Sequence, residues 1–181
     1  LMNENYKHPQ RPKGATDENI MKGAYCFSKS KRPSFRILAS GVTLNFALTA
    51  QKILEKYGIE LEIWSITSFN ELYKDGIEAE RNIRYFDSIE TPHVSKIFSN
   101  PLPTLAVSEY QRAYANQIKQ WSTSDYIVLG TDGFGRSDTR EKLRDFFEID
   151  ASHIVINILK NLKKYDEYKK YIKVNKIKLS K

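Results

Sequence analysis

From Phe35 onward the chain alternates between short branched or aromatic runs and longer amphipathic ones, and this alternation restricts the fold more than any other property of the sequence. The runs Phe35–Ala39, Leu61–Ile66, Thr104–Val107 and Tyr126–Leu129 read as buried strands. Between the first two lies a helical stretch over residues 42–57, with Leu44, Ala47, Leu48, Ile53 and Leu54 on its apolar face and Gly58 ending it. Residues 68–86 carry a helical pattern interrupted near Asp75 and Gly76, and residues 110–121 carry another. A passage rich in loop signals surrounds His93, between Thr91-Pro92 and Pro101-Leu-Pro103. Strand–helix repetition of this kind implies an α/β fold with a mainly parallel sheet and helices on both faces. The short candidate strand at residues 24–27, preceded by a small helix that Thr16 or Asp17 can cap, is placed antiparallel at the edge.

Residues 125–150 concentrate the local signals. The strand Tyr126–Leu129 runs into Gly130, Gly133 and Gly135, which suggest backbone conformations closed to other residues. A helix then starts, with Ser137 or Asp138 as cap, Glu141 three residues after Asp138, and Leu143, Phe146 and Phe147 as apolar stripe. Strand, glycine loop and helix N-terminus together make the geometry that holds phosphate. The spacing here is G-x-x-G-x-G, however, without Gly-Lys-Ser/Thr and without the dinucleotide pattern, so a tight structural turn is the reading adopted.

The run Gly130-Thr-Asp-Gly-Phe-Gly-Arg-Ser-Asp-Thr-Arg-Glu141 resembles the C-terminal domain of homodimeric pyruvate dehydrogenase E1 components, and its sparser pattern G-x-D-x-F-G-x-S resembles the same domain of transketolases. Ile63-Trp-Ser-Ile-Thr-Ser-Phe-Asn-Glu-Leu-Tyr-Lys-Asp-Gly76, followed by Glu80-Arg81, is similar to a second block of the family, and Met2-Asn-Glu-Asn-Tyr6 to a third. The chain departs from the family pattern at Asn82-Ile83, where Trp-Asn is usual, and at His93, where arginine is common. The resemblance implies a transketolase C-terminal fold within a longer polypeptide, Leu1 and Met2 falling at the end of an apolar segment that continues upstream. It also implies thiamine diphosphate and Mg2+ in the full-length enzyme, held by other domains. Its further implications are a homodimer, with the upstream domains of the same chain and dihydrolipoyl acetyltransferase (E2) as partners. A cytoplasmic location is the reading of the single cysteine and of a sequence without a membrane-length apolar run or a signal-peptide pattern. A transketolase or another two-oxo-acid dehydrogenase is the neighbouring alternative.

Charge separates the chain into three parts. Residues 160–181 hold nine lysines against Asp166 and Glu167, residues 1–36 carry a net +5, and residues 37–159 a net −5. The folded body is therefore acidic, the opposite of a nucleic-acid-binding face, and the lysines read as a solvated extension. No apolar run approaches the length of a membrane span. We divide the chain into an interdomain linker (1–14), one α/β domain (15–164) and a lysine-rich tail (165–181) with little apolar support. A single cysteine, Cys26, lies between aromatics and reads as a buried, inert thiol in a reducing compartment.

No catalytic, cofactor-binding or metal-binding residue is assigned. The Gly-Asp-Gly that binds the metal diphosphate in the superfamily is absent, and His8, His93 and His153 are too scattered to pair as ligands. His8 reads as a solvated linker residue and His153 as a packing or hydrogen-bonding one. The candidate site is instead a domain or dimer contact made by Asp132, Phe134, Arg136, Ser137 and Arg140, since aromatic and arginine side chains anchor interfaces. Its alternative is local: Phe134 folds back, and Arg136 pairs with Asp132 or Asp138. A different class of function would be an independent module binding an anion or small molecule where Gly41, Thr67-Ser68, Ser108-Glu109 and residues 130–137 converge.

Overall fold

The computed structural model describes residues 5–177 and 179. The expectations for Leu1 and Met2 and for the last residues of the tail lie outside them. In chain order the elements are α1 (Asp17–Met21), β1 (Ala24–Lys29), β2 (Phe35–Ala39), α2 (Thr43–Glu55), β3 (Leu61–Ile66), α3 (Phe69–Phe86), α4 (His93–Ile97), β4 (Thr104–Val107), α5 (Arg112–Asn116), β5 (Tyr126–Leu129), α6 (Arg140–Phe146), α7 (Ala151–Asn161) and α8 (Tyr165–Asn175). A 3-10 turn, Lys119–Trp121, lies between α5 and β5.

The strands form one sheet in the order β1-β3-β2-β4-β5. β2 pairs parallel with β3 and β4, and β4 with β5, while β1 joins β3 antiparallel at the edge, as expected. Every residue of β2, β3 and β4 is buried, because helices cover both faces. Alternate side chains divide between two cores. Phe35, Ile37, Ala39, Leu61, Ile63, Leu105 and Val107 pack with α2 and α7. Leu38, Trp64, Ile66, Ala106 and Val128 pack on the other side with residues of α3 and α4.

At the amino edge of the strands a buried ion pair ties three of them together. Arg36 Nε on β2 donates to Glu62 Oε1 on β3 (2.7 Å), which also accepts from Trp64 Nε1 (2.7 Å). Lys29 Nζ on β1 lies 2.8 Å from Glu62 Oε2, and Arg36 Nη2 donates to the Asn100 carbonyl (2.9 Å). Burial pushes the Glu62 carboxyl up, but the bonds from Lys29, Arg36 and Trp64 outweigh it and leave the group below its ordinary value.

Four elements correct the sequence reading. α3 is continuous through Gly76, where the Trp121 indole occupies the space a Cβ would fill and donates Nε1 to Glu80 Oε1 (3.0 Å). Bringing Trp121 there divides the helix expected over 110–121 into α5 and the 3-10 turn. In the passage around His93 a short helix, α4, forms with its first N–H bonded to Asp75 Oδ2 (2.6 Å). Lastly, the tail expected to lack apolar support forms α8, whose Tyr171 is 7% exposed, with Tyr168 and Ile172 half-buried against the α2–α7 core.

Candidate functional site

In a parallel sheet ligands and partners meet the carboxyl ends of the strands, where the connecting loops gather. The crevice between β2 and β4 is where chain direction around the sheet reverses. Thr43 is fully buried, and its hydroxyl lies 2.9 Å from the Val107 carbonyl and 2.8 Å from that of Ser40 while accepting the Ser40 N–H (3.1 Å). Ser108, also buried, accepts the Tyr110 N–H (3.3 Å). The hydroxyls that an anion could use are engaged within the fold.

The loops after β4 and β5 are fastened to each other. Thr131 N–H donates to the Tyr110 carbonyl (2.9 Å) and its hydroxyl to that of Glu109 (2.8 Å). Arg112 N–H donates to Asp132 Oδ1 (2.9 Å). Gly130 is required by this contact: a Cβ would lie 2.7 Å from the Tyr110 carbonyl oxygen and 2.9 Å from the Arg112 nitrogen. Of the three glycines only Gly133 has a positive φ, +95°, so the expectation of special backbone at all three holds for one. Underneath, Glu109 Oε1 accepts from Arg144 Nε (2.9 Å) and Nη2 (2.8 Å), and the Arg144 guanidinium lies 5.0 Å from the Phe46 ring of α2.

Above this base the candidate residues are exposed. Phe134 is 96% exposed, so it does not fold back on its own domain. Arg136 pairs with neither Asp132 nor Asp138 but stands 3.9 Å over the Phe146 ring. Ser137 is exposed in the same loop, and Arg140 is exposed as the first residue of α6. The cap of α6 is Thr139, not Ser137 or Asp138; Thr139 Oγ1 accepts the Lys142 N–H (3.4 Å), and Asp138 accepts the Thr139 N–H (2.8 Å). Asp132 holds Arg112 in place and so belongs to the scaffold of the loop as much as to its surface.

Sequence reasoning missed a second row beside the loop. Tyr110 and Tyr114 are 61% and 41% exposed, with ring centroids 5.3 Å apart, flanking Arg112. Two tyrosines four residues apart with an arginine between them are the signal that could have marked an exposed aromatic row here.

Among the described residues, Asp145, Asp150 and His153 are close enough to suggest a cation site. Asp150 is nevertheless the N-cap of α7, its Oδ1 accepting the His153 N–H (2.9 Å) and lying 2.9 Å from His153 Nδ1. Burial pulls the His153 imidazole down, but Asp150, helped by Glu148 and Asp145, outweighs it and holds the ring above its ordinary value. This is a helix cap with a buried imidazole, in keeping with a hydrogen-bonding His153. Cys26 is half-buried where a buried thiol was expected, and burial, with Glu62 nearby, pushes its thiol up.

The same fold occurs in transketolase from Campylobacter jejuni, with a TM-score of 0.58 at 22% identity over 83% of this chain and 20% of that one. Residues 23–150 match the transketolase-like TK C-terminal domain family, and the chain belongs to that family. Its curated relatives include the pyruvate dehydrogenase E1 component of Cupriavidus necator, 42% identical over 171 residues, covering 90% of this chain and 19% of the relative. The E1 component of Escherichia coli K12 is 41% identical over 177 residues, covering 94% of this chain and 20% of the relative. The chain thus spans about a fifth of the length of these relatives and matches their C-terminal part.

Proposed function

We propose that this chain is the C-terminal domain of a pyruvate dehydrogenase E1 component. In the whole polypeptide, upstream domains bind thiamine diphosphate and Mg2+, oxidatively decarboxylate pyruvate and acetylate the lipoyl group of dihydrolipoyl acetyltransferase. The observation that carries this reading is identity near 40% sustained over nine-tenths of the chain to proteins of that name. Transketolases share the fold at about half that identity. This domain contributes assembly: the exposed loop with Phe134, Arg136, Ser137 and Arg140, set on the Asp132 scaffold, meets another domain or the second subunit of a homodimer. Support for that contact comes from the 96% exposure of Phe134, because a large apolar side chain so displayed above a rigid base has the chemistry of an interface anchor. The polypeptide acts in the cytoplasm, without nucleic acid or membrane; among the described residues no helix is long and apolar enough to cross one.

The chain alone is inert on this reading. Titration calorimetry of the 181-residue chain with thiamine diphosphate and Mg2+ is expected to give only heats of dilution. Micromolar binding would mean that a diphosphate site exists within this domain and would overturn the assignment.

A further inference from the structure

We propose that the cleft between the end of α2 and the second half of α8 is a docking site for an acidic segment of a partner protein, which seats an apolar side chain between Lys56 and Lys170. This contact is additional to the one assigned to the Phe134 loop and lies elsewhere on the surface.

The cleft has a volume of about 380 Å3. Ile53 and Tyr57, at the end of α2, line it together with Tyr171 and Val174 of α8. Val174 is 69% exposed and takes no part in seating α8, which is the work of Tyr168, Tyr171 and Ile172. The exposed Lys56 and Lys170 complete the lining, one from each helix end.

Charge around the cleft is of one sign. No acidic side chain lines it, and Glu55, the acid of the last turn of α2, stays outside it. From Tyr168 to Lys176 the chain holds four lysines and no acid, and Lys52 places a further cation one helical turn before Lys56. Among the described residues, none of Lys52, Lys56, Lys170 and Lys173 has a carboxylate partner. An apolar slot set among unpaired cations is complementary to carboxylates flanking one apolar residue: the charges steer such a segment, and burial of the apolar side chain holds it.

Position assigns the segment to a separate protein. The incoming polypeptide is fastened at the other end of α2, where the Lys7 carbonyl accepts from Asn45 Nδ2 (3.3 Å). The base of the Phe134 loop meets α2 at that end too, with Arg144 5.0 Å from the Phe46 ring. At 1.5 Å per residue, Asn45 and Lys56 lie roughly 16 Å apart along the helix. Neither the linker nor the loop therefore leads to the cleft. Nucleic acid is disfavoured by the net −5 of residues 37–159 and by a lining in which a phosphate backbone has no use for Ile53, Tyr57 and Val174.

The probe is a fluorescein-labelled peptide of glutamates around one central leucine, titrated by anisotropy into the intact polypeptide that contains this chain. Saturable binding is expected, weakened about threefold by Lys56→Ala or Lys170→Ala and about tenfold by the two together. Serine in place of the peptide's leucine, which leaves the protein untouched, is expected to weaken it about tenfold or more. No binding overturns the proposal, and so does binding that neither lysine variant changes. Equal affinity for the serine peptide overturns it as well, since charge alone would then be at work. Single-stranded DNA that binds more tightly than the peptide, with the same dependence on Lys56 and Lys170, would make the site one for nucleic acid. Self-association in sedimentation that both lysine variants abolish would make the occupant a second copy, and either result overturns the proposal.

Discussion

Gly76 occupies the middle of α3, where alanine would be the better helix former by about 1 kcal/mol. The preference is overruled by a contact from elsewhere: a Cβ at this position would lie 2.7 Å from Cε2 of Trp121 and nearer still to other atoms of that ring. Gly76→Ala is therefore expected to destabilise the chain by about 1–3 kcal/mol in urea unfolding, because the indole must move and release Glu80. A gain in stability, which propensity alone would give, would show that the ring yields freely. Glu62 obeys a similar rule with charge in place of volume. Its carboxylate is tolerable at 1% exposure because Arg36, Trp64 and Lys29 meet it, and all three lie on strands adjacent in the sheet.

At the level of elements, α8 shows how a sparse apolar pattern can suffice. Tyr168, Tyr171 and Ile172 share one face of a helix otherwise rich in lysine, and that face closes the core between α2 and α7. Ending the chain after Lys164 is expected to lower the melting temperature by several degrees, and Tyr171→Ala to cost about 2–4 kcal/mol. Lys169→Ala and Lys173→Ala, on the solvated side, are expected to change stability by less than about 0.5 kcal/mol. Melting unchanged by the truncation would return the segment to a mere extension. The strands and α2 were legible because their patterns are local and repeat over several residues. The division of α5 was not, since its cause is the seating of Trp121 on a glycine far away in sequence. Nor was the cap of α6: Ser137, Asp138 and Thr139 can all cap, and the surrounding fold selects Thr139.

In the whole molecule, the loop from Gly130 to Ser137 stood out in the sequence because a phenylalanine between two glycines and two charges is an odd choice for a free turn. Its neighbours Tyr110 and Tyr114 did not, because only the fold brings the loops after β4 and β5 together. Phe134→Ala and Arg136→Ala, made separately in the intact enzyme, are expected to weaken the dimer in sedimentation, with activity recovered at high protein concentration. An unchanged dimer constant, with both variants active at all concentrations, would remove the loop from the interface. The strand order has a further consequence, for synthesis on the ribosome. β2 lies at the centre of the sheet between β3 and β4, yet β4 begins 65 residues after β2 ends, at Thr104 against Ala39. At roughly 5–20 residues per second, the nascent chain carries a half-built sheet with the β2 edge that β4 will cover left bare for roughly 3–13 s. Chaperone capture during that interval, and a strong dependence of soluble yield on translation speed across residues 40–104, would be the cellular signature of placing the central strand first.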